Sequence, residues 1–186
     1  QRGHHTLVMD GGVAGDPQLP PDISAAEVAE AGGQSLNSLR EASDRGAALA
    51  VMGKGAAVLA LKAYNEGNVD GVISLGGSGG TSIATTAMRS LPVGLPKLMV
   101  STMASGDVGP YVDVKDITMM YSVVDVAGLN RLSRQVFGNA VGAICGMVEQ
   151  EIPEADDKPL ITATMFGVTT PCVTAVREKL EAAGYE

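Results

Sequence analysis

Short apolar runs alternate with longer segments of helical periodicity along this chain. The runs typical of strands occupy residues 6–10, 72–75, 97–102, 117–121 and 160–165. Apolar residues spaced three and four apart, with capping and stop residues around them, predict helices over residues 24–32, 35–42, 46–65, 81–89, 129–147 and 171–183. Because strands and helices alternate, the pattern predicts an α/β fold whose parallel sheet carries helices on both faces.

The same pattern predicts two domains of unequal size. Residues 149–158 are acidic and contain Pro153, which is typical of a linker. Residues 1–157 then form the first domain, and residues 158–186 supply the first strand, loop and helix of a second α/β domain. Since the chain starts at Gln1 and ends just after Gly184, a typical helix C-cap residue, we expect a fragment of something longer.

A glycine-rich stretch follows the predicted strand at residues 72–75. Its candidate ligand contacts are Gly76, Gly77, Ser78, Gly79, Gly80, Thr81 and Ser82. A strand, a glycine loop and a helix start together present backbone N–H groups that suit a phosphate or a carboxylate. From these residues alone a tight turn is an equally good interpretation. The stretch lacks the lysine of a Walker A motif, and its spacing is not that of a dinucleotide fingerprint.

Polar segments after other predicted strands belong to the same edge of the sheet, where ligands bind in such folds. They add the candidates Ser101, Thr102, Ser105, Gly106, Asp125 and Arg131. Asp107 suits a turn cap better than a magnesium site. Arg131 lies one turn into a predicted helix, where an arginine is more often solvated or ion-paired than bound to a ligand.

Composition narrows the classes of partner. The 186 residues carry a formal net charge of −8 and only 3% aromatic residues, which disfavours nucleic-acid binding. Cys145 and Cys172 show no disulfide or zinc spacing, and the adjacent His4 and His5 make a poor metal site, so no protein metal site is expected. The apolar residues 47–61 are too short and interrupted to span a bilayer, and no signal peptide is evident. We therefore expect a cytoplasmic protein without a membrane partner.

Two longer segments, residues 101–108 (STMASGDV) and 116–131 (DITMMYSVVDVAGLNR), closely resemble the Tm-1-like ATP-binding family, UPF0261. Residues 20–23 and 167–172 extend the resemblance over essentially the whole chain. It implies two Rossmann-like domains in a protein roughly twice this length, with ATP or a related nucleotide on the first. Family members usually begin with a strand and a helix before the equivalent of Thr6, so those elements are expected to be missing here.

The leading hypothesis is a binding module that holds ATP, with or without Mg²⁺, or another phosphate-bearing metabolite on residues 76–81. The hydroxyl groups of Ser78, Thr81 and Ser82 are the expected side-chain contacts. One alternative is an enzyme acting on a small acyl or phosphorylated metabolite between the two domains. Another is an interaction protein with a structural nucleotide, since the family has a plant member that inhibits tobamovirus replication. A homo-oligomer is expected, and whether the chain is an enzyme stays open.

Overall fold

A computed structural model describes residues 3–151 and 158–186. The chain divides into two compact units, one up to Gln150 and one from Glu151. Most of the predicted linker at residues 149–158 lies outside the described residues. The first unit holds the sheet and most helices. The second unit contains a short 3-10 turn, Gly167–Thr169, and the helix α7, Thr170–Ala182.

The first unit contains three strands and six helices among its described residues. The strands are β1 (Val72–Gly76), β2 (Lys97–Ser101) and β3 (Thr118–Tyr121). The helices are α1 (Ala25–Gly32), α2 (Leu36–Ala42), α3 (Arg45–Asn65), α4 (Ser78–Ser90), α5 (Gly109–Val112) and α6 (Arg131–Val148). A capping box begins α1, because the Ser24 hydroxyl and the Glu27 carboxylate each accept a hydrogen bond from the other residue's backbone N–H. The hydrogen bonds from Ser24 hold the pKa of Glu27 below its ordinary value.

The strands form a parallel sheet in the order β1-β2-β3. Val72 lies opposite Lys97, and Leu98 lies opposite Thr118. Every residue of β2 is buried. Met99 packs against Met88 of α4 on one face, and the Leu98 and Val100 side chains pack under α6 on the other. The predicted α/β fold with helices on both faces of a parallel sheet is therefore confirmed, and it is consistent with a Rossmann-like architecture.

Two predicted strands and one predicted helix start are wrong. In the predicted strand at residues 6–10, only Met9 forms a bridge, with Ile23. Residues 160–165 form no strand and belong to no ladder in the described parts of the chain. A strand needs a hydrogen-bonded neighbour, which periodicity alone does not supply. Helix α4 begins at Ser78 instead of Thr81, because its glycines adopt helical geometry against the end of β1.

Helix α3 is the packing centre of the first unit. It contacts both α1 and α4, and an added Cβ at Gly55 would overlap the Val28 carbonyl oxygen. Among the described residues α3 is the one helix that passes a length and composition test for crossing a membrane. The helix runs for 21 residues, which is longer than the apolar run at residues 47–61 on which the membrane prediction rests. Its contacts with α1 and α4 account for its apolar composition in this fold.

Lys97 anchors the amino end of the central strand. Its side chain is fully buried, and Nζ donates to the carbonyl oxygens of Pro92 at 2.8 Å and Leu95 at 2.7 Å. It also pairs with Asp116 Oδ1 at 2.9 Å. The three donors of the ammonium group thus each find an acceptor, which ties β2 to the α4–β2 connection and to the segment before β3.

Replacing Lys97 by methionine removes the donor to two backbone carbonyls and to one oxygen of the Asp116 carboxylate. We expect Lys97→Met to lower the free energy of unfolding by about 3 kcal/mol, measured by urea denaturation. Lys115→Met is the matched control, because Lys115 Nζ makes one hydrogen bond, to Leu91 O at 3.0 Å, and should cost about 1 kcal/mol. Equal losses in the two variants would contradict the anchoring role of Lys97.

The Asp116 carboxylate makes stability depend on pH. Desolvation, the largest single influence, raises its pKa, but hydrogen bonds from Lys97 and the Gly94 N–H outweigh it and lower the pKa overall. The folded protein therefore binds this proton less readily than the unfolded chain. The stabilisation is complete above the unfolded pKa of about 3.9 and is lost as pH falls through the lower folded value.

We expect the stability difference between the wild type and Asp116→Asn to shrink as pH falls below about 4. Urea unfolding at a series of pH values measures this difference. A difference that stays constant into that acidic range would show that Asp116 is not the titrating group.

Candidate functional site

The turn from β1 into α4 is built from glycines that approach each other closely. A Cβ added at Gly76 would lie 3.0 Å from the Gly80 Cα, so a side chain there would force the strand and helix apart. Gly77 is the N-cap and has extended backbone geometry without a side-chain cap. The first helical hydrogen bond runs from the Thr81 N–H to the Gly77 carbonyl oxygen at 2.8 Å.

This geometry leaves donors free at the start of α4. Within the described chain, the N–H groups of Ser78, Gly79 and Gly80 have no acceptor, because they precede that first helical bond. Two of these three residues have no side chain to block an approaching ligand. The positive end of the helix dipole adds to the attraction for an anion.

Arg45 brings a guanidinium group to the same place. Its Nη2 donates to Ser78 Oγ at 3.5 Å and would lie 3.5 Å from a Cβ at Gly79. Arg45 is the first residue of α3, and Asp44 caps that helix by accepting from the Ala47 N–H at 3.0 Å. The start of α3 therefore meets the start of α4, with the Arg45 cation between them. The Asp44 carboxylate offsets part of this positive charge.

Sequence reasoning did not include Arg45 among the site residues. The sequence contained one signal that could have singled out Arg45. A basic residue at the first position of a helix opposes the helix dipole.

Thr81 and Ser101 form a buried hydroxyl pair behind the site. Thr81 Oγ1 and Ser101 Oγ are 2.6 Å apart, and both side chains are fully buried. Ser101 Oγ also accepts from the Met103 N–H at 2.9 Å. These two hydroxyls bond within the protein and join α4 to the carboxyl end of β2. Thr102 extends the link, because its N–H donates to the Gly76 carbonyl oxygen at 3.2 Å.

The remaining predicted site residues lie apart from this cluster in their contacts. Ser105, Gly106, Asp125 and Arg131 are exposed, and no hydrogen bond or ion pair in the described ranges joins them to the first turn of α4. Asp125 Oδ1 accepts from the Val126 N–H at 2.8 Å and so caps its own turn. Ser82 is half-buried within α4.

A large apolar groove opens beside the start of α4. It has a volume of about 1770 Å³. Near the free N–H groups it is lined by Arg45, Leu49, Gly79, Gly80 and Ile83. Cationic and N–H donors thus lie at one part of a cavity with apolar walls, an arrangement that suits a molecule with an anionic end and a less polar body.

The Thr81–Ser101 pair predicts energetic coupling between α4 and β2. We expect Thr81→Val and Ser101→Ala each to lower the free energy of unfolding, with a coupling energy of about 1 kcal/mol in a double-mutant cycle. Thr85→Val is the matched control, because the buried Thr85 hydroxyl donates to the Thr81 carbonyl oxygen within its own helix at 2.8 Å. Coupling of Thr85 to Ser101 as strong as that of Thr81 would contradict a specific hydroxyl bond.

Comparison with known proteins gives matches along the whole chain. The model of the Uncharacterised protein family (UPF0261) N-terminal domain matches residues 1–153, and that of its C-terminal domain matches residues 158–186. A UPF0261 protein of Clostridium tetani is 54% identical over 100% of this chain and 46% of its own length. One from Mesorhizobium japonicum is 52% identical over 89% of this chain and 41% of its own length.

The tomato protein described as ToMV susceptible protein tm-1(GCR26) is 47% identical over 76% of this chain and 20% of its own length. The chain therefore spans less than half the length of each of these relatives. The predicted resemblance is confirmed by both family models and by these identities. This chain belongs to the UPF0261 family.

Proposed function

We propose that this chain binds ATP, or a related phosphate-bearing small molecule, with a phosphate group at the first turn of α4. The observation that carries the proposal is the convergence of free N–H groups and a guanidinium group at one place. The N–H groups of Ser78, Gly79 and Gly80 have no other acceptor among the described residues, and Arg45 Nη2 lies 3.5 Å from Ser78 Oγ.

The donors suit holding a phosphate more than transferring one. Backbone N–H groups and a guanidinium group are strong partners for phosphate oxygens, and an arginine can bind two of them at once. A Walker A site adds a lysine that reaches the outer phosphates, and residues 76–81 contain none. The proposed function is therefore binding, with the glycine turn as the phosphate cradle.

The rest of the ligand lies in the groove beside Leu49 and Ile83 in this proposal. Among residues 3–151 and 158–186, no three His, Cys, Asp or Glu side chains form a group that could hold a metal ion. A magnesium ion would therefore arrive on the phosphate groups of the nucleotide. We place this binding in the cytoplasm, in keeping with two cysteines that are both free.

Isothermal titration calorimetry with ATP, ADP and inorganic phosphate, with and without Mg²⁺, tests the proposal. We expect saturable heat with ATP. Removal of the guanidinium charge in Arg45→Gln should weaken the affinity about tenfold, equivalent to ~1.4 kcal/mol. Binding should also weaken as salt concentration rises, because the Arg45 side chain is exposed.

Arg134→Gln is the matched control. It makes the same charge change at an exposed position on α6 and should alter the affinity by no more than about twofold. The absence of heat with all three ligands would overturn the proposal. Equal weakening in both variants would show that net charge, and not the site at α4, governs binding.

A further inference from the structure

The loop at residues 11–15 lies beside the start of α4. A Cβ added at Gly11 would lie 3.4 Å from Ile83 Cγ2, so the backbone of the loop packs against this side chain of α4. Ile83 follows Gly80 by three residues, which is about 4.5 Å along the helix axis. The loop and the first turn of α4 line the same groove. They are therefore neighbours on the ligand side of the helix.

Arg40 holds this loop in place. Its Nε donates to the Val13 carbonyl oxygen at 2.7 Å, and its Nη2 donates to the Gly15 carbonyl oxygen at 3.5 Å. Gly15 has a φ of +76°, a conformation that favours glycine. The Arg40 side chain is exposed, so these bonds replace bonds to water and add little to stability. Their main effect is to fix the position of the loop.

One corner of the fold connects the loop to the first turn of α4. Helix α2 carries Arg40 and ends at Ala42, and α3 begins at Arg45. Arg40 bonds the loop, whereas Arg45 donates to Ser78 Oγ on α4. Both arginines line the groove. The groove therefore receives two guanidinium groups from one turn of the chain.

The loop also carries free donors. Three of its five residues are glycines, which leaves the backbone open to a ligand. Within residues 3–151, the N–H groups of Gly11, Val13, Ala14 and Gly15 have no acceptor. The Gly12 N–H is the exception, since it donates to Asp10 Oδ1 at 2.8 Å.

We propose that residues 11–15 bind a second phosphate group of the ligand, next to the one held at the first turn of α4, and that Arg40 positions them. This inference rests on the proposed function and adds a ligand class to it, a diphosphate in preference to a monophosphate. Backbone N–H groups and guanidinium groups are strong donors to phosphate oxygens. A ligand with one phosphate occupies the first turn of α4 and leaves the loop unused.

NMR titration of the ¹⁵N-labelled 186-residue chain tests this assignment. The ligands are inorganic phosphate, pyrophosphate, AMP and ADP. We expect the Gly79 and Gly80 amides to shift with all four, and the Gly11 and Gly15 amides to shift with pyrophosphate and ADP alone. The Gly94 amide, in the connection between α4 and β2, is the internal control and should not shift with any of them.

Variants of Arg40 separate position from charge. Arg40→Gln should weaken the affinity for ADP about tenfold and that for AMP by no more than about twofold. Arg40→Lys keeps the charge but loses the planar group that bonds two carbonyls, so it should weaken ADP binding nearly as much. Full ADP affinity in Arg40→Lys would show that charge alone matters and would overturn the positioning role.

Gly15→Ala disturbs the loop without changing any charge. It places a side chain at a positive φ and should also weaken ADP binding selectively. Gly94→Ala is the matched control, because Gly94 has a φ of +94° and, like Gly15, open space around an added Cβ. It should leave the ratio of ADP to AMP affinity unchanged. Circular dichroism checks that each variant keeps its helices.

The outcomes distinguish this inference from the proposed function. The inference alone is overturned if Gly79 and Gly80 respond to pyrophosphate while Gly11 and Gly15 do not. It is also overturned if Arg40→Gln and Gly15→Ala leave the ratio of ADP to AMP affinity unchanged. If Gly79 and Gly80 respond to none of the four ligands, the proposed function itself fails, and the inference fails with it.

Discussion

The approach of two backbones at Gly76 and Gly80 determines the rest of the site. A Cβ at Gly76 would lie 3.0 Å from the Gly80 Cα, which is closer than nine in ten real Cβ contacts, so the backbone of α4 would have to shift. Glycine at this position lets α4 start within two residues of the end of β1. The helix start then lies directly at the carboxyl edge of the sheet, and its first N–H groups have no acceptor among the described residues.

The central strand keeps this helix start in place. Lys97 fixes the amino end of β2 through two backbone carbonyls and Asp116, and Ser101 fixes its carboxyl end through the Thr81 hydroxyl. Both contacts are fully buried on the β2 side, where an unsatisfied polar group is costly. Polar contacts therefore hold both ends of β2, whose middle is apolar, and the contact at its carboxyl end joins it to α4.

Local signals predicted much of this fold, and tertiary contacts decided the remainder. The capping box of Ser24 and Glu27 is encoded within four residues, and it is present. The helical state of Gly79 and Gly80 was missed, because glycine disfavours helices and only packing against β1 and Leu49 makes this turn helical. The contact of Arg45 with Ser78 joins residues 33 positions apart, so no local pattern contains it.

The first turn of α4, where we propose that a phosphate binds, lines the same groove as the neighbouring part of β1. The groove lining includes Arg45, Gly79 and Gly80 together with Ile73 and Leu75. An open groove keeps water around Arg45 and the free N–H groups, and water weakens their attraction for a phosphate. The body of a bound ligand in the apolar part of the groove would exclude part of that water and lower the local dielectric constant. The same donors would then attract a phosphate more strongly.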